Sequence, residues 1–444
     1  MNASFLQVMG FLVLGIGVIV LLTARYKVHA FFALLIACFV VGLGIQMPVA
    51  GIITTAKDGF GNIMKSLGFI IVLGTTLGLV LQSTGSTHVI AAYISKKTGR
   101  KYAALAMSIT GFIAGLPVFC DSGYMVLSGL NLSMAKRTGT PVIIMSVSLA
   151  TGLYAVHCLI PPHPGATAAA VTMGVDFGKL ILTGMLIAIP AMLVGHWWAS
   201  YAGKKIPALA QIPEEAELSA GRLPSLLSAV LPILVPILLI AIKSFLSTAS
   251  IPGATGFTNF FIALGDPVMA LSAGVLLAFA AGRSWTKENT AHLLGEAAEK
   301  AGGILVIIGA GGAFGAILSA AKIGQHFSES VALGSMGILF PFLITAILKT
   351  AQGSSTVAII TAASIVLPLL PALGLDTSNG RLLCVLAMGG GSMLLSHAND
   401  AYFWVIAKFS GIEMKNMLGI YTVASALMGL VTLLAVWVLS LFLL

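Results

Sequence analysis

KKTGRKYAALAMSITGFIAGLPVFCDSGYMVLSGLNLSMAKR, residues 96–137, sets a long apolar stretch between two basic clusters: Lys96, Lys97, Arg100 and Lys101 before it, Lys136 and Arg137 after it. The apolar part, 102–134, is 33 residues long. As one helix it would measure about 50 Å at roughly 1.5 Å per residue, against a hydrocarbon layer of about 30 Å. Lysine and arginine gather in cytoplasmic loops, so both ends face the same side. A re-entrant hairpin satisfies both facts: two half-helices of about 15 residues reach mid-bilayer and turn at 117–123, with FCDSG (119–123) at the tip. Unpaired backbone and ionisable groups are tolerated at that depth only where they line a protein-buried, watered cavity.

A second interruption follows. In HCLIPPHPG (157–165), three prolines unwind a broken helix predicted over about 141–173. The same pair of interruptions recurs in the second half, in the same order. AQGSST (351–356) divides an apolar stretch at about 333–369, and SHAND (396–400) divides another at about 380–409. Few basic residues flank 333–369, so its ends read as extracellular, the mirror image of the first hairpin. SLGFIIVLGTTLG (66–78) resembles AGGILVIIGAGGA (301–313), each run follows an amphipathic stretch (50–65 and 286–300), and His157 and His397 stand 240 residues apart in equivalent places. Residues 203–224, GKKIPALAQIPEEAELSAGRLP, form the one long polar stretch and read as a cytoplasmic linker. With an odd number of crossings in each half, 1–202 and 225–444 enter the membrane from opposite sides. The expected fold is an all-α polytopic membrane protein of two inverted-topology repeats, each with a re-entrant hairpin and a broken helix, as in secondary transporters.

Composition agrees with this reading. The chain is 58% hydrophobic and 8% charged, with a mean hydropathy of +1.05, values of a protein dissolved in lipid rather than water. Apolar runs near 28–46, 66–90, 178–201, 225–246, 259–281, 301–320 and 416–443 predict ordinary spans, and the whole chain accommodates about ten crossings plus two broken segments. The net charge of +9 falls in short loops between these runs, as cytoplasmic loops require, which argues against nucleic acid as a partner. The four cysteines, Cys38, Cys120, Cys158 and Cys384, lie in apolar surroundings and lack the paired spacing of a metal site or a disulfide framework. The first apolar stretch has Arg25 and Lys27 after it rather than basic residues before it, the reverse of a signal peptide. It is expected to persist as a first helix, with both termini external.

Fourteen residues are acidic, and Asp121 and Asp400 are the two deepest in predicted membrane segments. A carboxylate at that depth is costly unless paired or protonated, which makes both candidate proton carriers. Each also begins a half-helix, where it would serve as a cap, Asp121 together with Ser122 and Gly123. Lys349, the deepest base, needs an acidic partner, carbonyls or an anionic ligand. Beyond it, Gly353, Ser354, Ser355 and Thr356 open the outgoing limb of the second hairpin, where free N–H groups and a positive dipole end make an anion cradle. FCDSG offers a second such helix start. Two helix starts and a lysine favour a carboxylate, while Ser122, Gln352, Ser355 and Asn399 supply hydroxyl and amide groups for a polyol backbone. His157, His163 and His397 stand at the breaks as proton carriers, substrate ligands or partners of freed carbonyls, and Gly165 belongs to the same turn as His163. No metal, cofactor or enzymatic activity is expected: HExxH-like spacing is absent, and glycine-rich GAGGAFGAIL (309–318) follows no soluble strand and reads as helix packing.

PPHPGATA (161–168), GDPVMA (265–270), KTAQGSSTVAIITA (349–362) and SHANDAYFW (396–404) resemble the gluconate permease family of proton symporters, within the ion transporter superfamily. The likeness runs the length of the chain. It implies uptake across the bacterial inner membrane of a sugar acid such as gluconate, or of D-serine, glycerate, idonate or fructuronate, coupled to inward proton flow. It also implies a homodimer in which a mobile transport domain moves like an elevator against a scaffold. This sequence departs from the family's gluconate members at three points: they carry glutamate where Asp121 stands, arginine where Lys349 stands, and PGPTA where this chain has PGATA. A shorter acid and a less bidentate cation make a smaller hydroxy acid or amino acid a second candidate. A sodium-coupled carboxylate carrier is a third.

Overall fold

Several helices begin at side-chain caps, among them Asp176, Asp266, Thr286, Ser354, Thr377 and Asp400. A computed structural model describes residues 5–99, 102–206, 223–248, 256–282, 285–321, 336–398 and 400–444, and these contain helices and no strand. Most of the expected linker, residues 207–222, lies outside them, as do 333–335 at the start of the second expected hairpin.

The first half comprises α1 (Phe5–Val20), which passes through a π-helical turn at Leu21–Arg25, then α2 (Ala30–Gly44), α3 (Val49–Ser83), α4 (Ser86–Thr98), α5 (Ala103–Gly115), α6 (Cys120–Thr138), α7 (Val142–Leu159), α8 (Pro164–Met173) and α9 (Phe177–Ala202). The second comprises α10 (Leu226–Thr248), α11 (Gly256–Leu264), α12 (Pro267–Ala281), α13 (Lys287–Ala320), α14 (Leu339–Gln352), α15 (Ser355–Val366), α16 (Ser378–Met393), α17 (Ala401–Ser410) and α18 (Met414–Leu443). Six helices among the described residues are long and apolar enough to cross a membrane, or seven if α11 and α12 are one bent span. At 16 and 15 residues, α1 and α2 fall short of that length, which a straight crossing sets at about 20 residues.

Several boundaries differ from the apolar runs. The run at 66–90 is divided at Gly85, whose φ of +73° ends α3 and starts α4. The run at 259–281 bends by 70° between α11 and α12, because the Asp266 carboxylate caps Val268 N and Pro267 stands at the first helical position. Conversely, the amphipathic stretches before residues 66 and 301 do not form separate pieces. They fuse with the following spans into α3 and α13, of 35 and 34 residues, since no proline interrupts either ladder.

These two long helices cross at paired glycines. A Cβ at Gly59 would stand 2.5 Å from the Gly312 carbonyl oxygen, and one at Gly312 2.7 Å from that of Gly59, so the backbones meet with no room for a side chain. The Ser364 hydroxyl then donates 2.7 Å to Gly311 O, tying α13 to α15. Helix contacts recur between the halves: α5 packs on α7 and α14 on α16, while α7 packs on α9 and α16 on α18. The α7–α8 segment is almost wholly covered by other helices, whereas α18 leaves most of its apolar surface uncovered.

Substituting Gly312→Val should destabilise the detergent-solubilised protein by about 1–3 kcal/mol through overpacking. Gly302→Val, where a Cβ meets no atom within 4 Å, should shift stability by no more than about 0.5 kcal/mol; thermal melts of the two variants decide.

Candidate functional site

At four places one helix stops and the next starts inside the helix bundle. Between α5 and α6 the chain turns at Leu116–Phe119, and no side chain caps the start of α6. Between α7 and α8, Ile160 goes extended and Pro164 takes the first position of α8. Gly353, with φ +83°, ends α14, and the Ser354 hydroxyl accepts from Val357 N at 3.3 Å to begin α15. The Asp400 Oδ1 accepts from Tyr402 N at 3.0 Å to begin α17.

The N-termini of α6, α8, α15 and α17 all reach one cavity of about 540 Å³. Its walls include Phe119, Cys120, Asp121 and Ser122 of the first turn, Pro164 of α8, Gln352 to Val357 of the second turn, and Asp400, Ala401 and Tyr402 of α17. His157 lines it from α7. The sequence points to helix starts at FCDSG and QGSST as cradles; the fold adds two more. Each helix start presents free N–H groups and the positive end of a dipole, so the cavity suits negative charge from four directions.

The expected site residues divide into those that face this cavity and those that hold it up. Asp121, Ser122, His157, Gln352, Gly353, Ser354, Ser355, Thr356 and Asp400 face it. Lys349 is fully buried behind the wall, with its ammonium 2.5 Å from Asp400 Oδ2 and 2.7 Å from Gly353 O. Gly353 N in turn donates to Lys349 O at 2.8 Å, so one lysine stitches the turn through both main chain and side chain. The Tyr154 ring centroid lies 5.9 Å from the ammonium. Ser396 Oγ also donates to Asp400 Oδ2. Asp400 therefore caps α17 and neutralises Lys349 together.

His163 donates from Nε2 to Gly115 O at 2.7 Å, satisfying a carbonyl freed at the end of α5. Gly123 is buried against Leu153 and Val118, and a Cβ at Gly165 would meet Ile359 and the backbone of Thr356 where α8 touches α15. His397 is not part of the cavity wall; its carbonyl accepts from Asp400 N at 2.8 Å. Asn399 lies outside the described residues. Tyr402 in the wall and Tyr124, Tyr154 and Tyr421 behind it form a buried ring cluster with centroids 5.6 to 6.3 Å apart. It is anchored by Tyr154 Oη donating to Ser392 O at 3.0 Å and by Tyr402 Oη donating to Ala150 O at 3.2 Å.

Polar atoms in the cavity wall remain for a ligand. The Gln352 amide oxygen and nitrogen and His157 Nδ1 are buried with no hydrogen-bond partner among the described residues, a condition that asks for a bound group or water. Asp121 accepts only a long contact from Cys120 Sγ, 3.8 Å, and no lysine or arginine is within ion-pair distance among the described residues. The sequence reading missed Lys300, Ile304 and Ile307, which close the cavity from α13. The available signal was the likeness of 301–313 to 66–78, each preceded by a lysine, Lys300 and Lys65.

A family model for GntP family permeases matches residues 7–442. The chain belongs to that family. It is a multi-pass membrane permease, not an enzyme. A gluconate permease of Pseudomonas aeruginosa is 34% identical over 97% of both chains. The low-affinity gluconate transporter of Escherichia coli K12 is 31% identical over 92% of this chain and 93% of its own. The Gnt-II system L-idonate transporter of the same organism is 29% identical over 95% and 96%. Among solved structures, the Alcanivorax borkumensis YdaH transporter superposes with a TM-score of 0.64 at 16% identity, covering 89% of this chain and 90% of that one. Neisseria gonorrhoeae MtrF gives 0.61 at 16% identity, covering 87% and 83%. At that identity these two speak for the fold of the GntP permease alone.

Lys349→Met should cost about 3–5 kcal/mol of stability by leaving the Asp400 carboxylate buried without its counter-ion. Adding Asp400→Asn to it should recover part of the loss, giving a favourable coupling in a double-mutant cycle read from thermal melts in detergent.

Proposed function

We propose that the protein imports a small organic anion, a sugar acid of the gluconate type, across the bacterial inner membrane by proton symport. The convergence of the N-termini of α6, α8, α15 and α17 on one cavity carries this reading, because it supplies positive potential and N–H donors for a carboxylate. Gluconate and L-idonate are named for the relatives that match across the whole chain. A cavity of about 540 Å³ is of the size that encloses a small ligand, and Ser122, Gln352, Ser355 and Thr356 line it with hydroxyl and amide groups for a polyol chain.

The charge arrangement favours Asp121 as the proton carrier. Asp400 is already balanced by Lys349 at 2.5 Å, so protonating it would strand a buried ammonium. Asp121 faces the cavity without a basic partner among the described residues. A proton on Asp121 removes the charge that would repel the incoming carboxylate, and the loaded site then carries one negative charge fewer across the bilayer. Lys349 acts on the substrate indirectly in this scheme, by shaping the Gln352–Ser355 turn and neutralising Asp400.

The matched helix pairings of the two halves, α5–α7 with α14–α16 and α7–α9 with α16–α18, support a pair of inverted repeats. On this reading α5–α6 and α14–α15 are re-entrant hairpins entering from opposite sides, and both termini face the periplasm. An elevator movement of the hairpins and broken helices against a scaffold, in a homodimer, completes the proposal.

Proteoliposomes with an imposed inward proton gradient, offered labelled gluconate, glycerate and D-serine without sodium, test it. Gluconate should accumulate and a protonophore should abolish the accumulation; uptake that appears only on adding sodium would refute proton coupling, and uptake of D-serine or glycerate alone would replace the substrate. In Asp121→Asn, gradient-driven accumulation should disappear while substrate exchange persists, whereas undiminished accumulation would remove Asp121 from the coupling role.

A further inference from the structure

Lys300 lines the central cavity beside the four helix starts and the two carboxylates, and has no part in the proton-coupling scheme. Lys300, Ile304 and Ile307 are spaced to share one face of α13, and this face closes the central cavity. The same three residues also line a second cavity of about 430 Å³, together with His29, Glu296, Glu299 and Gly303. Lys300 thus stands at the junction of the two spaces. Among the described residues lining the central cavity it is the one lysine or arginine.

Its charge is held differently from that of Lys349. The Lys349 ammonium is buried and shared between Asp400 and Gly353 O. The Lys300 ammonium pairs with Glu296 at 2.8 Å, one helical turn away, and both side chains are 40% exposed. A pair of that kind is weak, and a four-carbon stem lets the ammonium change partners at little cost. A carboxylate entering from the second cavity meets Glu296 and Glu299 first, two like charges that would turn it away unless Lys300 offsets them.

We propose that Lys300 is the cation that captures the substrate carboxylate, releasing Glu296 as the anion passes between the second cavity and the central one. The second cavity is then a vestibule, and Lys300 is a specificity-determining residue that selects acids over neutral polyols of the same length. This rests on the sugar-acid reading of the central cavity. Glu296 acts as a competitor for the ammonium, so its removal should strengthen substrate binding, an effect opposite in sign to what loss of a structural ion pair would do.

Equilibrium binding of gluconate to the full-length, detergent-solubilised protein, with both faces accessible, tests the proposal. Lys300→Gln should weaken gluconate binding about tenfold, the scale of one hydrogen bond to a charged group, with the ligand-free melting temperature unchanged; Lys300→Arg should retain binding, and Glu296→Gln should bind more tightly than wild type. All four native cysteines are free and buried, but Cys120 lines the central cavity, so Lys300→Cys is made in a Cys120→Ser background, where it offers one accessible thiol. Its labelling by a cationic thiosulfonate should be slowed by gluconate and not by glucitol. Wild-type affinity in Lys300→Gln, or labelling indifferent to gluconate, overturns the role of Lys300 alone. Wild-type protein that binds no sugar acid overturns the functional reading, and this one with it. Should Lys300→Gln fold poorly, Glu296→Gln decides: tighter binding supports the competition, and unchanged or weaker binding overturns it.

Discussion

A helix that ends inside a bilayer leaves unsatisfied N–H or C=O groups with no water to take them, and every feature of the cavity follows from how those groups are served. In this permease the chain stops at Gly115, Leu159, Gln352 and Met393 and starts again within a few residues. Two of these stops are met by protein side chains: His163 bonds Gly115 O, and the Lys349 ammonium bonds Gly353 O. The start ends are partly capped, by Ser354 and Asp400, and otherwise open onto one space. Donors left free inside a membrane protein are tolerable where something polar reaches them, and this is the physical basis for proposing the cavity as the binding site.

Electrostatics within that space are graded by burial. At the innermost level Lys349 and Asp400 cancel each other and brace the turn between α14 and α15. Facing the cavity, the Asp121 carboxyl has no lysine or arginine within ion-pair distance among the described residues. At its edge, Lys300 and Glu296 form a looser pair within reach of solvent. On the proposed mechanism these three are a permanent, a titratable and an exchangeable charge. Parting the innermost pair would leave a buried charge uncompensated, at a cost of about 3–5 kcal/mol, so the proposed mechanism keeps it fixed and lets the outer two change.

Much of the architecture is legible in the residues. The four interruptions at FCDSG, IPPHP, QGSS and HAND mark the breaks because proline, glycine and hydroxyl or carboxylate caps act locally, through backbone dihedrals and bonds to residues two or three positions on. The same local chemistry marks Asp121, Ser122 and the Gln352–Thr356 turn as polar points at depth. Less legible was whether neighbouring stretches fuse or divide: residues 50–65 and 66–83 look like two elements by hydropathy and form one helix, while 259–281 looks like one and forms two.

By itself, then, the sequence determined a polytopic helical membrane protein with two pairs of interrupted helices, and where each interruption falls, since those features depend on hydropathy over a span and on cap residues close in the chain. Only the tertiary structure decided which interruptions meet. It placed Lys349 against Asp400 across 51 positions of chain, brought the starts of α8 and α17 to the same cavity as those of α6 and α15, and added the α13 face bearing Lys300. Such contacts depend on how helices cross, as at Gly59 and Gly312, and a crossing is a property of two distant surfaces fitting together that neither stretch carries alone.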